Sequence, residues 1–246
     1  MEPKIRQGYL QVAIEYNKCL LTGASGLLGK NLLPLFPESK VLTPTSTTLD
    51  ITSTQQVKEY FQSNPDIDLV VHAAAYTDVK KAETDFMQCH LVNVIGTYNI
   101  LEHCVQAGIK MVYISTDAVF DGSMGFYHTD DPMSPISKYA KSKTAAELMV
   151  RTYENSLIIR TSFFGETFPY DKAFVDQWTS KDYIDIMAPK IFSKINSNKK
   201  GISHVSSNRR SLYELALIRK KDVTPCHIRD YDYGFELPKD LSLKQE

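Results

Sequence analysis

Residues 18–29 read Lys-Cys-Leu-Leu-Thr-Gly-Ala-Ser-Gly-Leu-Leu-Gly, and the strongest structural signal in the chain lies there. Lys18 to Thr22 is a short apolar run that predicts a buried strand. Leu27 to Phe36 has helical spacing, despite Pro34 near its end. Between them Gly23 permits a tight turn, Gly26 lets an anion approach the backbone, and Gly29 lets the helix pack close to the sheet. Free N–H groups and the helix dipole at such a junction favour a pyrophosphate. Glycines alone are weak evidence, but here a strand precedes them and a helix follows, as dinucleotide binding requires.

The same alternation continues outward. Lys40–Thr43, Leu69–Ala74, Met111–Ser115 and Leu157–Thr161 read as strands. Thr54–Ser63, Phe86–Ala107 and Ser137–Tyr153 read as helices, the first stopped at Asn64-Pro65 and the second at Gly108. Apolar strands alternating with helices predict an α/β fold, a doubly wound parallel sheet of the Rossmann type. Ligands in such sheets sit beyond the carboxyl ends of the strands. After Gly165 the pattern weakens. Helices over 183–195 and 211–220 and a strand over 202–205 are expected within a small, irregular C-terminal cap. The domain reading is therefore an N-terminal extension (1–17), a dinucleotide-binding domain (18–165) and a substrate cap (166–246).

Composition limits the function. The chain has 246 residues, 43% hydrophobic and 23% charged, with a formal net charge of −1. That balance gives no pull toward nucleic acid or an anionic membrane. Arg219-Lys220-Lys221 is the densest basic cluster and reads as a solvated helix end. Cys19, Cys89, Cys104 and Cys226 are scattered, with no C-x-x-C pair, so neither a disulfide framework nor a zinc site is expected, and no metal. Met1 to Tyr16 lacks the apolar stretch of a signal peptide, and no run of about 18 apolar residues predicts a membrane span. A cytoplasmic protein is the expectation.

The G-x-x-G-x-x-G spacing of Gly23, Gly26 and Gly29 resembles the extended short-chain dehydrogenase/reductase family. That resemblance implies a cofactor site made of Gly23, Ser25, Gly26, Leu27, Leu28 and Gly29. It also implies Asp50 and Ile51 beside the adenine, and Ala73, Ala74, Ala75, Tyr76, Thr77 and Ile114 along the strand ends. Asp50 also reads as an acid ahead of a helix, before Thr52-Ser53. Asn93 matches a family asparagine that braces the active-site backbone. The second strand ends at Thr43-Pro44-Thr45-Ser46 with no acid. An acid there would bind the ribose 2′-hydroxyl of NADH and repel a 2′-phosphate, so its absence favours NADPH, with NADH as the other admissible cofactor; Thr43 is included in the site.

Reducing a ketone needs a hydride for carbon and a proton for oxygen. Tyr139 and Lys143 are four residues apart, on one face of a predicted helix. Tyr76 and Lys80 share that spacing. Position relative to the family pattern selects Tyr139, on the helix after the Met111–Ser115 strand, as proton donor. Lys143 would lower its pKa and hold the nicotinamide ribose. The hydroxyl at the strand end is Ser115 or Thr116, and alignment on Val119-Phe120 implies Thr116.

Residues 74–83 (AAYTDVKKAE), 115–122 (STDAVFDG) and Arg160-Thr161-Ser162 resemble the dTDP-4-dehydrorhamnose reductase branch, as do 201–205 and 211–216. Related dehydratases carry a glutamate where this chain has Ala118, which cannot remove a proton, so simple reduction of a sugar nucleotide is expected. Thr116, Asp117 and Phe163 are the implied substrate contacts, with Phe163 standing where the branch usually has tryptophan. The resemblance also implies a nucleotide-sugar substrate and a homodimer through the helices 86–107 and 137–153. Two other readings exist: a non-catalytic regulatory subunit like that of methionine adenosyltransferase, and an epimerase that retains its NAD.

Overall fold

The structure is a computed structural model that describes residues 15–232, 234 and 236–245. Most of the expected N-terminal extension lies outside the described residues. Along the chain the strands are β1 (Lys18–Thr22), β2 (Val41–Leu42), β3 (Ile67–His72), β4 (Lys110–Thr116) and β5 (Ser156–Thr161). Four short pieces follow: β6 (Phe163–Phe164), β7 (Lys172–Phe174), β8 (Trp178–Thr179) and β9 (Asp182–Tyr183). The last three are β10 (Gly201–His204), β11 (Arg210–Ser211) and β12 (Thr224–Cys226). Six of them form one parallel sheet in the order β10-β5-β4-β3-β1-β2. The order reverses direction at β1 and β3, which opens a crevice at the strand ends.

The strands are apolar on both faces because both faces are covered. Cys19 and Leu21, Leu69 and Val71, Val112 and Ile114, Leu157 and Ile159 point to one layer. Leu20, Val70, Met111, Tyr113 and Ile158, offset by one residue, point to the other. The first layer is closed by α1 (Leu27–Leu32), and the second by α2 (Thr54–Ser63). A short α3 (Val79–Ala82) leads to α4 (Phe86–His90) and α5 (Gly96–Ala107), and α6 (Lys138–Arg151) follows β4. Each fully buried Leu, Ile or Val contributes about 1.5–3 kcal/mol, and strands and helices supply them to both layers.

Caps fall where the sequence puts them. Ser53 and Ser137 accept backbone N–H bonds at the starts of α2 and α6. Gly108 ends α5 in the left-handed conformation at φ 68°. Pro34 ends α1 earlier than the spacing suggests, and Leu33–Leu35 continue as a 3-10 turn. The predicted helix 86–107 is continuous but not uniform: Leu91–Ile95 form a π-helical segment between α4 and α5. That widened turn carries Asn93, which is buried.

The expected cap needs correction. Within 166–246, α7 (Ile184–Ile195) packs on the α1 side of the sheet through Ile184, Met187, Ala188, Ile191 and Ile195. Pro189 lies inside α7 and removes one helix donor, yet this buried face holds the helix. β10 adds to the sheet edge, with Ile202 beside Ile158. Both elements belong to the main layers. The remainder, β7, β8, β11, β12 and α8 (Leu212–Arg219), forms a lobe with its own small core around Phe168, Tyr183 and Leu215. Among the described residues no helix is long and apolar enough to cross a membrane.

Candidate active site

A cleft of about 1780 Å³ runs across the carboxyl ends of the parallel strands and under the lobe. Single-ligand pockets usually hold about 300–1,000 Å³, so this one has room for two ligands end to end. At one end lies the glycine loop. Gly23 has φ +71°, and a Cβ there would meet the Ala74 backbone at 2.6 Å. A Cβ on Gly29 would stand 2.3 Å from the Gly23 carbonyl. These two positions fix the loop against β3 and against the start of α1. Ser25, Gly26, Leu27 and Leu28 line the cleft with them.

Asp50 and Ile51 line the same end. Asp50 Oδ1 accepts from the Thr52 N–H at 2.9 Å and the Thr52 hydroxyl at 2.7 Å, so the turn-forming reading holds alongside the cleft-facing one. Asn99 Nδ2 donates to the Ile51 carbonyl at 2.8 Å, and a Cβ on Gly96 would collide with the Ile51 side chain. Neither Asn99 nor Gly96 stood out in the sequence, because their role depends on α5 lying beside this loop. Thr43 is exposed and does not line the cleft; Pro44 and Ser46 do. β2 is only two residues long, and Thr43 lies just past its end.

Ala73, Ala74, Ala75, Thr77 and Ile114 line the floor, but Tyr76 does not. Tyr76 is held instead by its main chain. Its N–H donates to Asn93 Oδ1 at 2.8 Å, and its carbonyl accepts from Asn93 Nδ2 at 3.1 Å. Asn93 Nδ2 also donates to Ser142 on α6 at 2.9 Å. Asn93 thus ties the loop after β3 to the helix of Tyr139 and Lys143. Buried His72 adds a second tie. The Thr97 hydroxyl donates to the Asn93 carbonyl, so the His72 Nε2 that meets it at 3.1 Å carries the proton. His72 Nδ1 then accepts from Thr22 at 2.8 Å. Burial, with the Lys143 charge adding to it, lowers the His72 pKa to about 3 and keeps the ring neutral.

Thr116, Asp117, Tyr139 and Lys143 meet at the middle of the cleft. Thr116 ends β4 and is buried; its hydroxyl donates to Asp117 Oδ1 at 3.1 Å and accepts from the Ala118 N–H. Asp117 Oδ2 accepts from the Ser162 hydroxyl. Ser115 is no substitute for Thr116: its hydroxyl donates to Glu147 Oε2 at 2.5 Å. Adjacent strand residues point to opposite faces, which places Ser115 on the α6 side.

The Tyr139 pKa is raised above that of an ordinary phenol, first by burial and then by the Asp117 carboxylate, while a hydrogen bond to Thr116 opposes the rise. The expected lowering by Lys143 is not among these causes. Lys143 donates to the Ile114 carbonyl at 2.8 Å and lies 4.2 Å from the centre of the Tyr113 ring. Burial lowers its pKa to about 7 against the opposing pull of Glu147. Tyr139 is therefore a protonated acid at neutral pH, and Lys143 a cation that titrates there.

Glu147 continues the Tyr139–Lys143 face of α6 by one more turn. It forms a wholly buried ion pair with Arg160 at 2.7 Å. Arg160 also donates to the Thr129 carbonyl at 3.1 Å. Losing one partner of such a pair costs about 3–5 kcal/mol. The pair locks α6 to β5 beneath the site.

Phe163 lines the cleft just beyond Thr116 and Asp117. The lobe supplies further lining that the sequence did not single out, including Phe174, Trp178 and Lys181. Leu237 and Leu241 reach it from the end of the chain. Leu241 and Leu243 pack on Val119, Phe120 and Tyr127, which fastens the C-terminal residues over the segment after β4.

The family described as RmlD substrate binding domain matches residues 17–191. A spore coat polysaccharide biosynthesis protein, SpsK, of Bacillus subtilis is 34% identical over 220 residues, covering 81% of this chain and 77% of that protein. A dTDP-4-dehydrorhamnose reductase of Aggregatibacter actinomycetemcomitans is 34% identical over 185 residues, 71% of this chain; the match spans 61% of that reductase's length. The crystal structure of dTDP-4-dehydrorhamnose reductase from Bacillus anthracis in complex with NADP superposes with a TM-score of 0.85 at 27% identity, covering 94% of this chain and 92% of that one. The Clostridium acetobutylicum counterpart gives 0.84, also at 27% identity, with 92% and 89% covered. The chain belongs to the RmlD family, with the extended short-chain dehydrogenase/reductase architecture.

Proposed function

We propose that this member of the RmlD family uses NADPH to reduce the ketone of a nucleotide-linked 4-keto-6-deoxy sugar, a step of nucleotide-sugar and polysaccharide synthesis. The supporting observation is that Thr116, Tyr139 and Lys143 line the same cleft as the glycine loop, with Thr116 hydrogen-bonded to Tyr139. The NADP complex of the related Bacillus anthracis enzyme supports the cofactor. The names of the relatives support the substrate.

The cofactor fits the residues present. A Cβ at Gly23 or Gly29 would strike neighbouring backbone, so these glycines keep the tight turn that a pyrophosphate needs, and Ser46 stands where an acid would repel a 2′-phosphate. The glycine loop would hold the pyrophosphate, Asp50 and Ile51 the adenine end, and Lys143 the ribose hydroxyls. The reduced nicotinamide supplies the hydride when bound. Tyr139 gives its hydroxyl proton to the carbonyl oxygen as charge develops there. Thr116 turns its hydroxyl from Asp117 to that same oxygen and stabilises it. Burial, with the Asp117 carboxylate adding to it, keeps Tyr139 protonated until then, and Asp117 accepts a sugar hydroxyl. Phe163 covers the apolar face of the sugar. Ala118 offers no base, so the reaction stops at reduction.

The test is NADPH consumption at the nicotinamide band on adding an enzymatically generated 4-keto-6-deoxy sugar nucleotide. Consumption by the parent confirms the reductase. Tight NADPH binding without consumption, with dTDP- and UDP-linked sugars alike, overturns it in favour of a regulatory subunit.

The assembly is proposed to be a homodimer in the cytoplasm. Met87, Leu91, Ile95, Tyr98 and Val105 are exposed at helical spacing along residues 86–107, and Leu148 is exposed on α6. An apolar stripe of this kind on two adjacent helices suits pairing with its own copy. A monomer mass in light scattering refutes it.

A further inference from the structure

We propose that Tyr113 is a positioning residue for Lys143: its ring face steadies the buried ammonium as a cation and holds it at the floor of the cleft. The inference rests on the reductase reading for what Lys143 then does, and adds what keeps that side chain charged inside the fold.

A buried ammonium loses its water, and the loss favours the neutral amine unless other groups replace the water. Lys143 is 3% exposed. Its surroundings supply little free charge. Glu147, one helical turn along α6, is the carboxylate that pulls on it. Yet Glu147 Oε1 accepts from Arg160 at 2.7 Å and Oε2 from Ser115 at 2.5 Å. The Cys89 thiol on α4 is pushed up by burial and stays protonated. His72 on β3 is held neutral, and Tyr139 on the same helix face is a protonated phenol.

The groups that touch the ammonium come from β4. Ile114 gives its carbonyl at 2.8 Å. Its neighbour Tyr113 gives a ring face, with Lys143 Nζ over it at 4.2 Å from the centre. That is well inside the roughly 6 Å within which a ring quadrupole attracts a cation, and the attraction strengthens where water is excluded. Tyr113 is itself buried, and burial raises its phenol well above the ordinary range, so the ring acts as a neutral quadrupole and not as a phenolate. The ring is fixed in place as well. His72 lies opposite Tyr113 in the register of β3 and β4 and stacks with it at 6.0 Å. His72 is in turn bonded to Thr22 and Thr97. Lys143 lines the cleft and Tyr113 does not, so Tyr113 acts on a ligand through Lys143.

The experiment follows the Lys143 side chain directly. Protein isotopically labelled at lysine Cε is titrated by NMR without ligand, and Lys143→Met identifies the resonance. In the parent the midpoint is expected at about 7, low for a lysine. Taking away the ring removes support from the charged form, so the midpoint should move to lower pH. Tyr113→Leu should lower it by about one pH unit or more, and Tyr113→Phe, which keeps the ring, should leave it near the parental value. Pentafluorophenylalanine at position 113 keeps the size of the ring and takes away its negative face, so it should act like Tyr113→Leu. The alkaline limb of kcat/KM for keto-sugar reduction should move with the midpoint in each variant.

An unmoved midpoint with the fluorinated ring overturns the proposal, as does a shift in Tyr113→Phe as large as in Tyr113→Leu. If Tyr113→Leu does not fold, the fluorinated ring, which fills the same space, decides. A lower melting temperature with the midpoint in place assigns Tyr113 to packing alone and overturns it too. A shifted midpoint without NADPH consumption by the parent removes the reductase reading and keeps the role of the ring. Consumption by the parent with unmoved midpoints does the reverse.

Discussion

The two ends of the cleft are built by different means. The glycine-loop end is made of main chain: Gly23 to Gly29 and Ala73 to Ala75, two short runs at the ends of adjacent strands. The lobe end is made of side chains collected from far apart, such as Phe174, Trp178, Lys181 and Leu241. A main-chain site depends on absent side chains, so its sequence trace is a glycine or alanine pattern over a few residues. A side-chain site depends on which loops meet, and its trace is scattered over the whole second half of the chain. The first tolerates almost no added atom, and the second should tolerate substitution with graded loss.

The middle of the cleft, where both ends meet, should show the largest effect. Tyr139→Phe removes the proton donor, and turnover should fall by about 10²–10⁴ with NADPH affinity preserved. A variant that keeps more than a tenth of parental turnover would pass the acid role to another group. At the glycine-loop end, Gly29→Val forces a side chain into the Gly23 carbonyl and Ala24 backbone. NADPH affinity should drop at least ten-fold, and overpacking should cost about 1–3 kcal/mol of stability by denaturant titration. Parental affinity in that variant would mean the loop yields, and the contrast between the two ends would fail.

Ser46→Asp sharpens the cofactor assignment. The new carboxylate would repel a 2′-phosphate and accept from a 2′-hydroxyl, so the preference should move toward NADH by roughly ten-fold, about 1.4 kcal/mol. An unchanged ratio of kcat/KM for the two cofactors would place the 2′-phosphate elsewhere.

The smallest effect concerns stability against pH. His72 is neutral when folded, with its pKa lowered to about 3, whereas the unfolded chain takes up a proton near its ordinary value of about 6.5. Between those values the unfolded state binds more protons, so stability is present above about 6.5 and is lost as the pH falls toward about 3. His204, lowered to about 4 by burial and by Arg160, acts in the same direction over a narrower window. His72→Gln should flatten the acid limb of a melting-temperature profile. An equally steep limb would assign the acid sensitivity to other groups.

Legibility followed the same division as the cleft. β1, β3, β4 and β5 were readable because strands buried on both faces leave unbroken apolar runs. Helical spacing singled out two pairs, Tyr76 with Lys80 and Tyr139 with Lys143, and the family resemblance chose the second. Thr43 was misplaced by a strand end that two residues of β2 could not reveal. Tyr76 was included by its neighbours, yet Asn93 holds its main chain. α7 and β10 were expected as a helix and a strand but placed in a cap because the pattern weakens after Gly165, and the α7 face shows its partner only once the α1 side of the sheet is in place.

The sequence by itself determined the parallel sheet, the glycine loop, and the helical spacing of Tyr139 and Lys143. Each of these is a local arrangement, set by periodicity or by a turn within a few residues. Only the tertiary structure decided that Ser115 serves Glu147 while Thr116 faces the cleft. It alone decided that Lys143 rests on the Ile114 carbonyl, that His72 joins Thr22 to Thr97, and that Trp178 lines the cleft. Those outcomes depend on contacts between residues tens of positions apart, and such contacts exist only once the hydrophobic layers have fixed how the elements pack.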